Sequence, residues 1–352
     1  MTKLRNRYVD INITRDTMPM RLAGTMPMTL LFVGADLEHA YYTTAREAKE
    51  AIELAILEDS AESKEKVMRA VDVMFMQVQH HETLGVVGIE TEDGLQGLLD
   101  SQEPFGTSYR IADLGTTTEG KDAIAEWVAN KTLFYYPTFL DISELSDFVE
   151  THSSNDHVIP MIHDEDELLG VGLAALASGN FFGRWWQKFK SVNGVAVTKF
   201  TADEIDTIEL IGGNTYIRVS GRNVISDGKV TSGEFADVIE TEHYLIDHLR
   251  QKMWGILTGN DKVPYTQKGI DLFHAGMRSV LDLATDEGIL ATDEQGGATY
   301  QTSAPRRDEI NVEYVKARVL PDLKFTAIPT GAIGSVKIEG HLTFDMGVAV
   351  DG

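Results

Sequence analysis

Residues 29–34 read TLLFVG, a short apolar run that ends in glycine and predicts a buried β-strand. A helix should follow, because Thr44 and Glu47 have the spacing of a capping box and Ala48 and Ile52 begin one apolar face. The pattern continues with strands predicted at 84–89, 109–112, 133–140 and 158–162, and helices at 62–76, 121–129, 144–150 and 167–177. Strands and helices in strict turn predict an α/β layer, which we assign to residues 23–180.

The composition of the chain and its pattern of predicted elements change after Gly179. Residues 181–189 read FFGRWWQKF and concentrate aromatic side chains. Two amphipathic helices are predicted beyond them, at 233–257 and 266–284, and the polar stretch 292–307 predicts a loop. We therefore predict a mixed α/β fold in which a second unit, a hairpin followed by helices, occupies residues 181–334.

Residues 225–235, ISDGKVTSGEF, contain a Gly-Lys pair that invites comparison with a phosphate-binding loop. That loop needs a first glycine where this chain has Asn223, and a serine or threonine where it has Val230, so the template fails twice. Apolar residues on both sides favour a β-hairpin whose tight turn is Asp227-Gly228.

Both ends of the chain alternate apolar and polar residues with the period of a strand. The alternating apolar residues are Val9, Ile11 and Ile13 at one end and Leu342, Phe344, Met346 and Val348 at the other. A strand with one apolar face needs a sheet, which is either the chain's own or that of a neighbouring subunit. We assign an N-terminal arm to residues 1–22 and a C-terminal strand or arm to residues 335–352.

Composition bounds the class of protein. The 352 residues are 43% hydrophobic, contain no cysteine and carry a net charge of −24, which argues against a nucleic-acid partner or an anionic membrane surface. The N-terminus has no apolar signal region, and the longest apolar run, 168–177, is too short to span a bilayer, so we expect a soluble protein made in a cytoplasm. Residues 1–22 have a net charge of +3, which leaves −27 for the rest and suggests contact between tail and body of different copies.

No catalytic or cofactor template is complete in the sequence. The densest set of possible metal ligands is His152, His157 and His163 with the acidic run 164–167, but its spacing matches no known metal motif. The pair His80-His81 precedes Glu82 without the second histidine of a zinc-protease helix, and no nucleophile elbow occurs. We therefore predict no catalytic, cofactor-binding or metal site, and no enzymatic activity.

The second unit resembles the tail sheath proteins of contractile bacteriophages. The similarity is carried by GNTY at 213–216, ISDGKVTSGEFADVIETEHYLIDHLRQKMWGIL at 225–257, VPYTQKGI at 263–270, KFTA at 324–327 and GAIGSVKIEG at 331–340. It covers residues from about 181 to the end, and the first unit shares only the general pattern. The chain is too short for the extra outer domains that many sheaths carry, so it resembles a minimal sheath core.

The resemblance implies a structural role in the virion. Sheath subunits form stacked hexameric rings around the tail tube, and contraction drives the tube through the host envelope. The implied partners are other copies of the chain, the tail tube protein, and baseplate and tail terminator proteins, after synthesis in the host bacterial cytoplasm. In related sheaths the arms complete a sheet on neighbouring subunits, and the C-terminal unit faces the tube.

That orientation makes three basic residues candidates for contact with the tube, namely Arg306, Arg307 and Lys316. The helix from Ile270 and the loop to Arg307 would then line the lumen, although the same charges could pair with acidic sheath neighbours instead. Two further alternatives stay open for the whole chain. It could be another structural component of a tail or nanotube, or an acidic cytoplasmic α/β hydrolase or metal enzyme.

Overall fold

In a computed structural model that describes residues 25–56 and 61–338, the run at 29–34 lies in strand β1 (Met28–Val33), the middle of a five-stranded sheet. β1 pairs in parallel with β3 (Leu84–Ile89) on one side and β4 (Arg110–Leu114) on the other. A parallel strand covered on both faces needs an unbroken apolar run, which is why Leu30, Leu31 and Phe32 are consecutive and fully buried. The predicted α/β class is confirmed.

Three sheets are present among the described residues. The first has the order β2-β3-β1-β4-β5, in which β2 (Leu37–Tyr42) is an antiparallel edge and β5 is Phe134–Tyr135. The second contains β6 (Thr138–Phe139), β7 (Met161–Ile162), β8 (Asn214–Val219) and β9 (Arg222–Ile225) in that order. The third is a two-stranded antiparallel sheet of β10 (Gln301–Ser303) and β11 (Lys324–Thr326).

Segment 134–139 joins the first two sheets edge to edge. On one side the Tyr136 N–H donates to the Ile111 carbonyl at 2.8 Å, and on the other the Tyr135 N–H donates to the His157 carbonyl at 2.8 Å. The strand predicted at 133–140 is divided into β5 and β6 at Pro137, which has no N–H to contribute to a ladder.

The second sheet also spans the two predicted units. β7 belongs to the first unit and pairs in parallel with β8 of the second, where Met161 lies opposite Asn214. Backbone hydrogen bonding therefore continues across the boundary that the sequence placed between residues 180 and 181.

Ten α-helices lie within the described residues, and five of the six in the first unit are close to their predicted positions. The helices are α1 (Ala45–Ala55), α2 (Ala61–Phe75), α3 (Leu95–Leu99), α4 (Thr118–Val128), α5 (Ile142–Thr151), α6 (Leu169–Ser178), α7 (Ala202–Leu210), α8 (Ala236–Thr258), α9 (Gln267–Asp286) and α10 (Val312–Ala317). A short 3-10 turn, Glu92–Gly94, precedes α3. Half of the capping box predicted for α1 is present: the Thr44 side chain accepts from the Glu47 N–H, but the Glu47 carboxylate accepts from the N–H of Thr43, one residue before the N-cap.

Helix α6 lies in the centre of the core. All ten of its residues are buried, and it packs against β1, β4 and α2. This explains the longest apolar run of the sequence: a helix buried all round shows little amphipathic periodicity. Two glycines permit the close approach, because a Cβ at Gly170 would lie 2.3 Å from the Tyr136 carbonyl oxygen and one at Gly172 would lie 2.4 Å from Val192.

A hairpin lies in this region, but the prediction was wrong about both its turn and its second strand, which precedes the Asp227-Gly228 pair. β8 and β9 are connected by Ser220 and Gly221, both with positive φ, and Val219 pairs with Arg222 across a two-residue loop. The Asp227-Gly228 pair lies beyond β9. Gly228 is required there for close packing rather than for a turn, since a Cβ would lie 2.4 Å from Nε1 of Trp186.

The end of the described chain has little regular structure. β11 matches the predicted strand at 324–327, but residues 331–338 form neither helix nor strand. Ile333, Val336 and Ile338 are 80%, 74% and 87% exposed. Within the described residues, the alternation at 336–338 therefore does not add a strand to the chain's own sheets.

Candidate functional site

The residues predicted to touch the tube lie in and beside helix α10. Arg306 and Arg307 are in the loop between β10 and α10, and Lys316 is in the last turn of α10. No residue of α10 is buried, so the helix stands on the surface of the second unit. The structure thus brings the three basic residues to one protruding segment, 304–319.

These three cations differ in their surroundings. Arg306 is exposed and contacts Asp308 at 3.2 Å, and Lys316 is exposed and contacts Glu313 at 2.8 Å. Such exposed pairs contribute about 0–1 kcal/mol and exchange partners readily. Both cations are therefore available to an external anionic surface at little energetic cost.

Arg307 is part of the subunit's own fold. Its Nε donates to the Tyr265 carbonyl at 3.0 Å, its guanidinium lies 5.2 Å from the Tyr265 ring centroid, and its backbone N–H donates to Gln267 at 2.9 Å. These contacts fasten the loop to the start of α9, which places Arg307 among the structural residues.

A groove of about 370 Å³ runs between this protruding segment and the two-stranded sheet. Ser303, Ala304, Pro305, Glu309, Ile310, Asn311, Tyr314, Pro321, Asp322 and Lys324 line it. Val312, Tyr314 and Val319 are exposed apolar or aromatic side chains on the same segment. The groove contains one cation and two carboxylates and is otherwise of mixed character, as expected for a protein contact.

The two-stranded sheet is the most exposed of the three sheets in the described residues. β10 and β11 pair only with each other among the described residues, and none of their residues is buried. Backbone N–H and C=O groups on the outer edges of such a sheet are free to pair with an added strand.

The residues of the predicted arms lie outside the described part of the chain. Val9, Ile11 and Ile13 belong to residues 1–24, and Leu342, Phe344, Met346 and Val348 belong to residues 339–352. Their role stays a prediction from the sequence.

Asp227 and Lys229 of the Gly-Lys stretch bind other residues of the same subunit. The buried Asp227 carboxylate contacts the ammonium groups of Lys188 at 3.4 Å and Lys229 at 3.2 Å. Asn214 accepts from the Lys229 N–H at 3.1 Å and donates to the Lys229 carbonyl at 3.0 Å. The lysine is thus held by the subunit's own carboxylate and amide, next to the start of α8.

The histidines that the sequence grouped as possible ligands are not brought together. His152 contacts Asp122 at 2.8 Å, His157 contacts His243 at 3.1 Å, and Nε2 of His163 contacts the Ala196 carbonyl at 2.9 Å. Among the residues that the structure describes, no group of three or more side chains is arranged to hold a metal ion.

Sequence reasoning missed a buried polar cluster beneath α8. It contains Tyr109 and Arg110 at the start of β4, His157 before β7, and Glu240 and His243 on α8. Glu240 and His243 are three residues apart, and this spacing predicts that they lie on the same face of a helix. Their partners lie 86 to 134 residues away in the sequence, so the pairing itself had no local signature.

Burial dominates the electrostatics of this cluster. It raises the pKa of the Glu240 carboxyl, although the Arg110 charge acts in the opposite direction. Burial alone would lower the pKa of Arg110, but the Glu240 carboxylate, Tyr136 and Tyr109 together more than offset burial, so the pKa is raised. Burial raises the pKa of Tyr136 to about 12.

None of the helices in residues 25–56 and 61–338 has both the length and the apolar character needed to cross a membrane. Comparison with family models and with curated proteins found no match for this chain.

Proposed function

We propose that this chain is a structural subunit of a contractile phage tail sheath, which polymerises as stacked rings around a tail tube and contracts to drive the tube through the host envelope. The proposal begins from the resemblance of residues 181–340 and from the alternating pattern at both ends. It places the protein in the virion and assigns it no catalytic role.

The observation that carries the proposal is the exposed apolar segment at the end of the described chain. Ile333, Val336 and Ile338 are each at least 74% exposed. Burying a side chain of this size contributes about 1.5–3 kcal/mol relative to leaving it in water. Val336 and Ile338 also have the two-residue spacing that places side chains on one face of a strand, as expected for a segment that pairs with a second chain.

The accessible sheet of β10 and β11 supports the same proposal. A strand added to either outer edge would gain backbone hydrogen bonds, and the groove beside α10 would accept its side chains. In a helical lattice each subunit would donate and receive such strands, so weak single contacts would be multiplied along the assembly.

Electron microscopy of the purified protein tests the proposal. Hollow striated cylinders or stacked rings at high protein concentration are expected. Compact monomers or dimers under all conditions would overturn it and favour the alternative of an acidic α/β enzyme.

A variant pair makes this test sharper. Ile333→Asp, Val336→Asp and Ile338→Asp introduced together should abolish cylinders while the far-ultraviolet circular dichroism stays unchanged. Leu210→Asp is the matched control, because Leu210 is 87% exposed on α7 and is apolar in the same way. Cylinders should form normally in the control, and loss of cylinders in both variants would show that any exposed charge is disruptive.

A further inference from the structure

Helix α8 is fastened to the main sheet by a chain of three aromatic side chains. The Tyr109 hydroxyl is hydrogen-bonded to Nδ1 of His243 at 2.7 Å, and Nε2 of His243 is hydrogen-bonded to Nε2 of His157 at 3.1 Å. The two imidazole rings are stacked with 5.1 Å between centroids and 13° between planes. Both histidines and the tyrosine are at most 1% exposed.

A contact between two ring nitrogens is a hydrogen bond only while one of them has a lone pair. A neutral imidazole has one N–H and one acceptor nitrogen, whereas a protonated imidazole has two N–H groups and no acceptor. The Nε2–Nε2 contact therefore survives with both rings neutral, or with one ring charged. It becomes a repulsion between two N–H groups and two positive charges when both rings are protonated.

Several titratable groups lie near the chain formed by Tyr109, His243 and His157. Arg110 from β4 forms an ion pair with Glu240 of α8 at 2.5 Å, and its charge lies 5.0 Å from the Tyr109 ring centroid. The charged groups Glu240, Arg110 and Glu242 and the phenol of Tyr136 all act on Tyr109. Asp156 precedes His157 in the chain. The positive charge of Arg110 opposes protonation of the two imidazole rings, whereas the nearby carboxylates favour protonation.

We propose that the His157–His243 pair is an acid-sensitive lock which holds α8 on the sheet at neutral pH and releases it when both imidazoles are protonated. In the released state the imidazoles face water and take up protons near pH 6.5, so acidification below that pH favours release. Release of α8 exposes the apolar side chains that it buries, among them Leu245, Leu249 and Met253. This regulatory device concerns the fold of the single subunit and does not depend on the proposed function.

Hydrogen exchange measured by mass spectrometry on the full chain at pH 7.5 and pH 5.0 tests the lock. After correction for intrinsic exchange rates, amides of α8 should lose protection by at least about tenfold at the lower pH, since one pH unit per coupled proton is a factor of ten. Amides of α1, which packs on α2 and on β2 at the opposite edge of the first sheet, are the internal reference and should change little.

Two variants separate the lock from general acid sensitivity. His243→Gln keeps a hydrogen-bonding side chain that does not titrate, so the loss of α8 protection in acid should shrink to about threefold or less. His80→Gln removes a half-buried histidine in the loop before β3 and should retain the full wild-type response. A full acid response in His243→Gln, or equal α8 protection at both pH values in the wild type, overturns the proposal.

If His243→Gln does not fold, a ring-nitrogen NMR titration of the wild-type chain replaces it. Protonation of His157 and His243 should coincide with the loss of α8 protection. Protonation of both rings with α8 still protected would overturn the lock.

Discussion

The side-chain amide of Asn214 forms two hydrogen bonds with the backbone of Lys229, one as acceptor and one as donor, as paired residues of neighbouring strands do. The Asn214 amide accepts from the Lys229 N–H at 3.1 Å and donates to the Lys229 carbonyl at 3.0 Å. It also donates to the Pro160 carbonyl at 3.0 Å, and its side chain is fully buried. A single amide thus ties β8 to the residue before β7 and to the segment that leads into α8.

We expect Asn214→Ala to lower the free energy of unfolding by about 2–4 kcal/mol, because it leaves several buried backbone groups without partners at about 1–3 kcal/mol each. Urea unfolding followed by circular dichroism measures the change. Asn223→Ala in β9 is the control, since Asn223 is exposed and should change stability by less than about 0.5 kcal/mol. An equally small effect at Asn214 would contradict the assigned role.

Three glycines of the second unit should respond differently to alanine, because their backbone conformations and surroundings differ. Gly221→Ala places a Cβ at φ +84° in open space and should cost about 1–2 kcal/mol of backbone strain. Gly228→Ala would place a Cβ against Trp186 and should cost about 1–3 kcal/mol through overpacking.

Gly255→Ala is the control within helix α8, where nothing lies within 4 Å of the added Cβ, and it should stabilise by up to about 1 kcal/mol. Thermal unfolding of the three variants measures the order of their stabilities. A neutral Gly221→Ala would contradict the turn at Ser220 and Gly221.

Much of the fold could be predicted from sequence where one local signal sufficed. The apolar run of β1, the Thr44 cap of α1 and the apolar stripes of α8 and α9 each lie within a few residues and were identified. The helix α7 was missed although Thr201 and Glu204 form a complete capping box, because Ile208 is its only buried residue and its apolar face is narrow.

Features that depend on distant partners could not be predicted. The Asp-Gly pair at 227–228 has the composition of a hairpin turn, and its actual role depends on Trp186, which lies about 40 residues earlier in the chain. Likewise, three basic residues near α10 looked equivalent in the sequence. Only the contacts with Tyr265 and Gln267 distinguish Arg307 from Arg306 and Lys316.

Alkaline titration should reveal the buried tyrosines. Burial raises the pKa of Tyr136 to about 12, and burial together with the Asp113 charge raises the pKa of Tyr135 well above its usual range. Because the folded-state pKa exceeds the unfolded value of about 10, the stability linked to these groups is fully present below pH 10. It is lost as the pH rises from about 10 towards the folded-state pKa.

The phenolate absorbance should therefore rise in two stages, with the exposed tyrosines first and the buried ones together with unfolding. Tyr136→Phe should move the unfolding midpoint to higher pH, whereas Tyr314→Phe, on the exposed face of α10, should leave it unchanged. A single stage near pH 10 without unfolding would contradict the burial of Tyr136.

Charge reversal at Arg306 and Lys316 separates the two roles open to the protruding segment. Arg307 is left unchanged, since its contacts with Tyr265 and Gln267 support the fold. If the segment faces the tube, the double variant Arg306→Glu, Lys316→Glu should polymerise normally but fail to assemble on tail tubes in a co-sedimentation assay. Failure of polymerisation itself would favour pairing between sheath neighbours. Arg46→Glu, at an exposed ion pair on α1, is the control and should assemble in both assays.

The last prediction concerns the N-terminal arm, which carries five basic residues on a chain with a net charge of −24. An arm that links subunits must bring its own binding energy, because ordering each residue costs about 1–2 kcal/mol of backbone entropy. Burial of Val9, Ile11 and Ile13 supplies about 1.5–3 kcal/mol each, so hydrogen bonds and charge attraction must supply the remainder. Deletion of residues 1–16, or Ile11→Asp with Ile13→Asp, should therefore leave a folded body that forms no cylinders.

The control is Asn6→Asp with Asn12→Asp, which adds the same two negative charges to the arm without changing its apolar face. This variant should only weaken assembly and make assembly more sensitive to salt, because screening at physiological ionic strength acts over about 8 Å. Cylinders that form with wild-type efficiency after the deletion would show that the alternating residues serve the subunit's own sheet instead.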